Sequence, residues 1–255
     1  MRDFALMLIF VTCYIPNASA GPYAPPAGQP GSTAIPDTSP LFVEWASGFQ
    51  NYVQGSPINL SFTNPAKALG PAKGTAFDVT ELGNGGQITL TFDKAILASQ
   101  NGPDFAVFGN GFEDTYEKLA YVDVSQDGQH WLRMPNHDLT PAHVSTFGLT
   151  DPTNIDGLAG KYRAGFGVPF SLNDVGLAWA SYVRLVDIVG DGSAKDSSGN
   201  PIYDPYPNDN GFNVGGVGVL SAVPEPASFV LLAAGAALAW LIRAKIRQRA
   251  AIQLP

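Results

Sequence analysis

The sequence predicts an all-β body, an antiparallel β-sandwich of jelly-roll type, between an N-terminal signal peptide and one C-terminal transmembrane helix. Three observations predict the body. Apolar runs are short and several alternate with polar residues. Glycine (28) and proline (21) punctuate them throughout the 255 residues. An Asp-Gly pair, Asp127-Gly128, separates two strand-like runs, and glycine tolerates the positive φ of a tight hairpin turn.

The elements follow in chain order. Arg2 precedes an apolar run from Phe4 to Ile15, and Ala18-Ser19-Ala20 then offers small side chains to a signal peptidase. This assigns 1–20 as a signal peptide. The one cysteine, Cys13, lies inside it, so no disulfide is expected in the mature chain. Phe10-Val11-Thr12 lacks the small residue that precedes a lipid-modified cysteine. Residues 21–40 hold six prolines among glycine, serine and threonine, which predicts a flexible or polyproline-like lead-in outside the fold.

The sandwich is expected over 41–222. Ile88–Phe92 alternates apolar and polar, and Asp104–Phe108 is a second strand candidate. Leu119–Ser125 and His130–Met134 flank the Asp-Gly turn. Ser181–Val189 sets Val183, Leu185 and Asp187 on one face, and Arg184, Val186 and Ile188 on the other. Val214–Leu220 is placed to close a sheet. Leu41, Trp45, Phe49 and Tyr52 have helical spacing, but local glycine leaves that segment open between helix and strand. Trp131 follows the hairpin turn and reads as a core residue.

Charge limits the partners. The chain carries −8 overall, and residues 21–222 hold nine Lys/Arg against twenty Asp/Glu, a net of −11. Such a body repels phosphate backbones, so nucleic acid is not an expected partner. At the far end, 227–242 (ASFVLLAAGAALAWLI) has no charge and would span about 24 Å as a helix. Arg243, Lys245, Arg247 and Arg249 follow as a basic stop on the cytoplasmic side. The body is then expected outside the inner membrane.

The acidic stretch Asp187, Asp191, Asp196, Asp204 and Asp209 is a candidate site for structural Ca²⁺, which takes six to eight oxygen donors in flexible geometry. The alternative is a set of turn-forming aspartates. It is not an EF-hand, because the third and twelfth positions from Asp187 are Val189 and Ser198. His130, His137 and His143 lack the i,i+4 spacing of a helical zinc pair. There is no Gly-x-Ser-x-Gly elbow. Glu44, Glu81, Glu113 and Glu117 supply carboxyls, but a glycosidase pair is defined by separation across a cleft. No catalytic residue is assigned. Tyr203 and Tyr206, between prolines, are the loop aromatics best placed to stack on sugar rings.

Val223-Pro224-Glu225-Pro226, followed by the apolar run and the basic cluster, resembles the PEP-CTERM sorting signal of Gram-negative bacteria. The signal spans 223–249, with Pro224, Glu225 and Pro226 as the motif. The resemblance implies processing by an exosortase-like enzyme, final residence at the cell surface or in the extracellular matrix, and association with exopolysaccharide and biofilm. Asp123–Trp131 (DVSQDGQHW) resembles the hairpin of discoidin-like, galactose-binding-like sandwiches. Gly83–Asp93, Gly102–Phe112, Gly157–Phe170, Tyr182–Gly192 and Gly199–Val219 together resemble a family of PEP-CTERM surface proteins. That family often carries Glu at position 109 and Asp at 213 and 215, where this chain has Gly109, Asn213 and Gly215. The expected function is a non-enzymatic exported surface protein that holds exopolysaccharide. A purely structural matrix protein and a secreted glycan hydrolase are the alternatives.

Overall fold

The computed structural model describes residues 20–207 and 210–221. Residues 1–19 of the expected signal peptide, the sorting motif and its basic cluster, and Asp209 lie outside the described residues. Among the described residues no helix is long and apolar enough to cross a membrane; residues 227–242 are not among them.

Fourteen strands are described. In chain order they are β1 (Ile35–Pro36), β2 (Glu44–Trp45), β3 (Gly48–Val53), β4 (Thr80–Glu81), β5 (Gln87–Leu97), β6 (Phe105–Phe108) and β7 (Ala120–Ser125). Then come β8 (Leu132–Arg133), β9 (His137–Asp138), β10 (Ile155–Asp156), β11 (Phe166–Phe170), β12 (Trp179–Asp187), β13 (Asn213–Val214) and β14 (Gly216–Val219). Two five-stranded sheets form the body, with orders β1-β11-β6-β14-β2 and β3-β5-β12-β7-β8. Every strand pair in them is antiparallel.

The alternation read from sequence decides which side chains meet between the sheets. Ile88, Leu90, Val122, Val124, Val183 and Leu185 come from one sheet. Phe105, Val107, Val168, Phe170, Val217 and Val219 come from the other, and all twelve join one buried cluster. Phe105 and Phe170 stack with centroids 5.3 Å apart. A smaller cluster, including Leu119, Tyr121, Ile155, Ile188 and Ile202, seals the long connection after β12.

The Asp-Gly hairpin forms as predicted between β7 and β8. Gly128 has φ +73°, and the Asp127 carboxylate accepts from the amides of Gln129 and His130, each at 2.8 Å. The segment left open by its spacing is extended: Trp45 lies in β2, and Phe49 and Tyr52 in β3. Strand pairing with β14 and β5 overrides the helical periodicity.

The expected lead-in is corrected. Residues 21–40 are packed against the body rather than free of it. Gly21 N donates to Thr153 Oγ1 at 2.6 Å and Tyr23 N to Thr153 O at 3.0 Å. Ala27 is buried, and its carbonyl accepts from Arg163 Nη1 at 2.9 Å. Ile35 and Pro36 form the edge strand beside β11, the place in a sheet where a proline is tolerated.

Candidate functional site

The sandwich is open along one edge, between β1 and β11 of one sheet and the chain that follows β8 of the other. A groove of about 460 Å³ occupies this edge. A second hollow of about 420 Å³ shares Thr33, Pro169, Phe170 and Asp174 with it, so the two are continuous. Met134, Val168 and Phe170 give the groove apolar surface. Thr33, His137, Asp156, Lys161 and Asp174 give it polar groups.

Local pairing positions these groups. β9 and β10 form a two-residue ladder in which Asp156 lies directly opposite His137, so the two side chains share a face. Gly157 then lets the chain turn. Its φ is +63°, and a Cβ there would lie 2.0 Å from the Pro135 carbonyl oxygen. Tyr23, from the packed N-terminal segment, stacks on His137 with centroids 5.8 Å apart. Burial raises the Tyr23 phenol above its usual range, and the nearby charges of Asp156 and Asp196 add to this. Lys161 is almost wholly buried and donates to the Ile155 carbonyl at 2.6 Å. Burial holds its ammonium below the usual lysine range, opposed by Asp156 and Glu117. Among the described residues, no side chain hydrogen-bonds or ion-pairs with the carboxylates of Asp156 and Asp174, so the groove offers two open acceptors.

Four of the five aspartates proposed for calcium, Asp187, Asp191, Asp196 and Asp204, are described, and each accepts backbone amides. Asp187 accepts from Gly85 N at 2.8 Å and from Phe212 N. Asp191 accepts from Ser193 N at 2.9 Å. Asp196 accepts from the amides of Asp138, Ser198 and Asn200 at 2.8–3.1 Å. Burial alone would raise the Asp196 carboxyl, but these hydrogen bonds together hold it below its ordinary value. Asp204 accepts from Leu119 N at 2.8 Å. The long connection after β12 is thus pinned by carboxylate–amide bonds. Among the described residues no three His, Cys, Asp or Glu side chains are grouped as a metal ion requires.

Tyr203 and Tyr206 line neither hollow. Tyr203 is half-buried over Gly192, and Tyr206 meets His143 edge-on at 6.1 Å. Trp131, expected in the core, instead lies half-buried on the outer face of its sheet. There it packs over the Arg184 guanidinium at 4.2 Å and against Tyr182 at 6.4 Å. Arg184 and Arg133 both pair with the buried Asp123, at 2.7 and 2.8 Å. Trp131 precedes β8, which begins at Leu132, so strand alternation does not turn it inward, and its ring covers the guanidinium that pairs with Asp123.

The glutamates do not meet in the groove either. Glu44 accepts from Lys94 N at 3.0 Å, Glu81 is buried and accepts from Asn59 N, and Glu113 is exposed. Glu117 is fully buried and accepts from Thr150 Oγ1 at 2.6 Å, with its other oxygen unpartnered. Positions 109 and 215 are close together: a Cβ on Gly215 would lie 3.3 Å from the Gly109 oxygen. Sequence reasoning missed the groove itself. Its walls come from around residues 33, 135, 157 and 170, and no local pattern links them.

Comparison with known families is decisive at the other end. Residues 222–247 match the PEP-CTERM protein-sorting motif. The chain carries a sorting signal. It marks an exported protein, processed by an exosortase-type enzyme and sorted to the cell surface. The signal follows the last described strand at once, since β14 ends at Val219. A search of curated proteins found no match to the chain.

Proposed function

We propose that the exported body is a non-catalytic module that holds exopolysaccharide in the edge groove, at the surface of a Gram-negative cell or in its biofilm matrix. The observation that carries this reading is the groove. It sets hydrogen-bonding groups, Thr33, His137, Asp156 and Asp174, around the apolar surface of Met134, Val168 and Phe170. A sugar ring presents the same mixture, hydroxyls at its rim and C–H groups on its faces, and small-ligand sites are built of just such surfaces. Before processing, the precursor is held in the inner membrane by 227–242, with the body outside. The likeness of the β7–β8 hairpin to discoidin-like sandwiches agrees with a binding role.

The test is retention of the purified body on immobilised exopolysaccharide from the producing strain, together with a glycan array. Asp156→Lys and His137→Ala are expected to abolish retention while leaving the melting temperature within a few degrees. Equal retention by wild type and both variants would remove the groove from the account. No retention by wild type would favour a purely structural matrix protein. Release of reducing ends from the polysaccharide would favour a hydrolase.

A further inference from the structure

The last residues of the body are firmly held. β14 lies between β6 and β2, and Val217 and Val219 are fully buried. Beyond the strand, Leu220 N and Ser221 N both donate to the Asp104 carbonyl, at 2.8 and 3.2 Å. The Ser221 carbonyl in turn accepts from Leu97 N at 2.8 Å. Asp104 is itself fixed: its buried carboxylate accepts from Ser99 N and Leu172 N, at 2.6 and 2.7 Å. Fraying this end would expose two core valines and break those bonds, so the tether to the sorting motif does not lengthen easily.

That tether is short. Pro224 is three residues beyond Ser221, a span of about 10 Å when fully extended. The apolar run begins six residues beyond Ser221, within about 20 Å of extended chain. An enzyme that cuts this segment must close around extended backbone on both sides of the bond. With so little slack, its rim meets the body.

The geometry points to the exit end of the sandwich as a contact surface for the exosortase-type enzyme. The surface is contiguous through hydrogen bonds. Asn173 Nδ2 donates to Ser99 O at 2.7 Å, Ser99 Oγ to Gly102 O at 2.9 Å, and Ala98 N to Ala178 O at 3.0 Å. Trp179 pairs with Leu97 and remains 39% exposed. Its composition fits a contact. Residues 98–103 and 173–179 carry a single charge, Asp174, on a body with a net charge of −11, and interface cores are depleted in charge. Gln100, Asn101 and Gly102 are all exposed on it.

The test follows conversion of the full-length precursor to its shortened form in the producing cell, by pulse-chase and immunoblot. Gln100→Glu with Asn101→Glu is expected to slow conversion about tenfold, because charge pressed into a close contact must lose its water. A Gly/Ser spacer of about twelve residues after Ala222, adding roughly 20 Å of mean reach, is expected to restore the wild-type rate in that variant. Conversion of the charged variant at the wild-type rate would overturn the contact. So would a defect that the spacer leaves uncorrected, since it would then arise in folding or export. Pro224, Glu225 and Pro226 changed together to alanine separate the two readings. If the intact chain is shortened no more than that variant, the sorting reading fails, and this inference with it.

Discussion

Asp187, at the end of β12, accepts a hydrogen bond from the backbone N–H of Phe212, twenty-five residues further along the chain. Its other oxygen accepts from Gly85 N at 2.8 Å. One carboxylate therefore ties β12, the turn before β5 and the segment entering β13. Asp187→Ala leaves the buried Phe212 amide without its partner, and we expect a loss of about 2–4 kcal/mol in urea unfolding. Asp187→Asn keeps one acceptor and should recover part of it.

Glu117 has a pH signature. Burial pushes its carboxyl well above the ordinary value of 4.5; the Thr150 hydroxyl and the Lys161 charge oppose this only in part. The folded state therefore holds a proton that the unfolded chain releases above about pH 4.5. The contribution to stability is complete below that pH and is lost as pH rises toward the folded value. Glu117→Gln mimics the neutral form. Its melting temperature should match wild type near pH 4 and exceed it at pH 7–8. Parallel melting curves across that range would show that Glu117 is ionised in the fold.

Two glycines separate strain from collision. Gly190 has φ +78°, and a Cβ there would lie 1.8 Å from Asp204 Oδ1. Gly199 has φ +86° with open space around it. Gly199→Ala should cost about 1–2 kcal/mol of backbone strain. Gly190→Ala should cost clearly more, because the Asp204 carboxylate must also leave the Leu119 amide that it accepts from. Chemical denaturation of the two variants side by side checks the order.

The N-terminal segment is expected to behave as part of the fold. A body starting at residue 38 lacks β1 and the bonds to Thr153, Tyr162 and Arg163. At about 1 kcal/mol for each of the four hydrogen bonds to Thr153, Tyr162 and Arg163 alone, it should lose at least about 4 kcal/mol, or roughly 10 °C of Tm or more for a body of this size. Thr33 and Ile35 line the hollows, so polysaccharide retention should fall with it.

What was legible in the sequence was local. The Asp127-Gly128 hairpin announces itself because one dipeptide sets the turn. The alternation in 181–189 gives the faces of β12 because a pleated strand repeats every two residues. The sorting motif is linear by nature. The packed N-terminal segment was hidden, because proline-rich composition records the lack of amide donors and not the Thr153 and Arg163 groups that receive it. Trp131 was misplaced because it was read as a strand residue after the turn, whereas β8 begins at Leu132 and the ring packs over Arg184 on the outer face. The groove depends on which distant segments the sheets bring together. The aspartates after β12 read as cation ligands or as turn formers, and amides that Asp187, Asp196 and Asp204 accept from lie on distant segments that no local pattern shows.

The position of β14 bears on export. Its neighbours are β6 and β2, so the first half of the body cannot complete that sheet without residues 216–219. Secretion delivers the N-terminus first, and pairings between such remote segments form late. A body from which residues 216–219 are missing lacks an interior strand. That sheet therefore closes only when nearly the whole body is available to it.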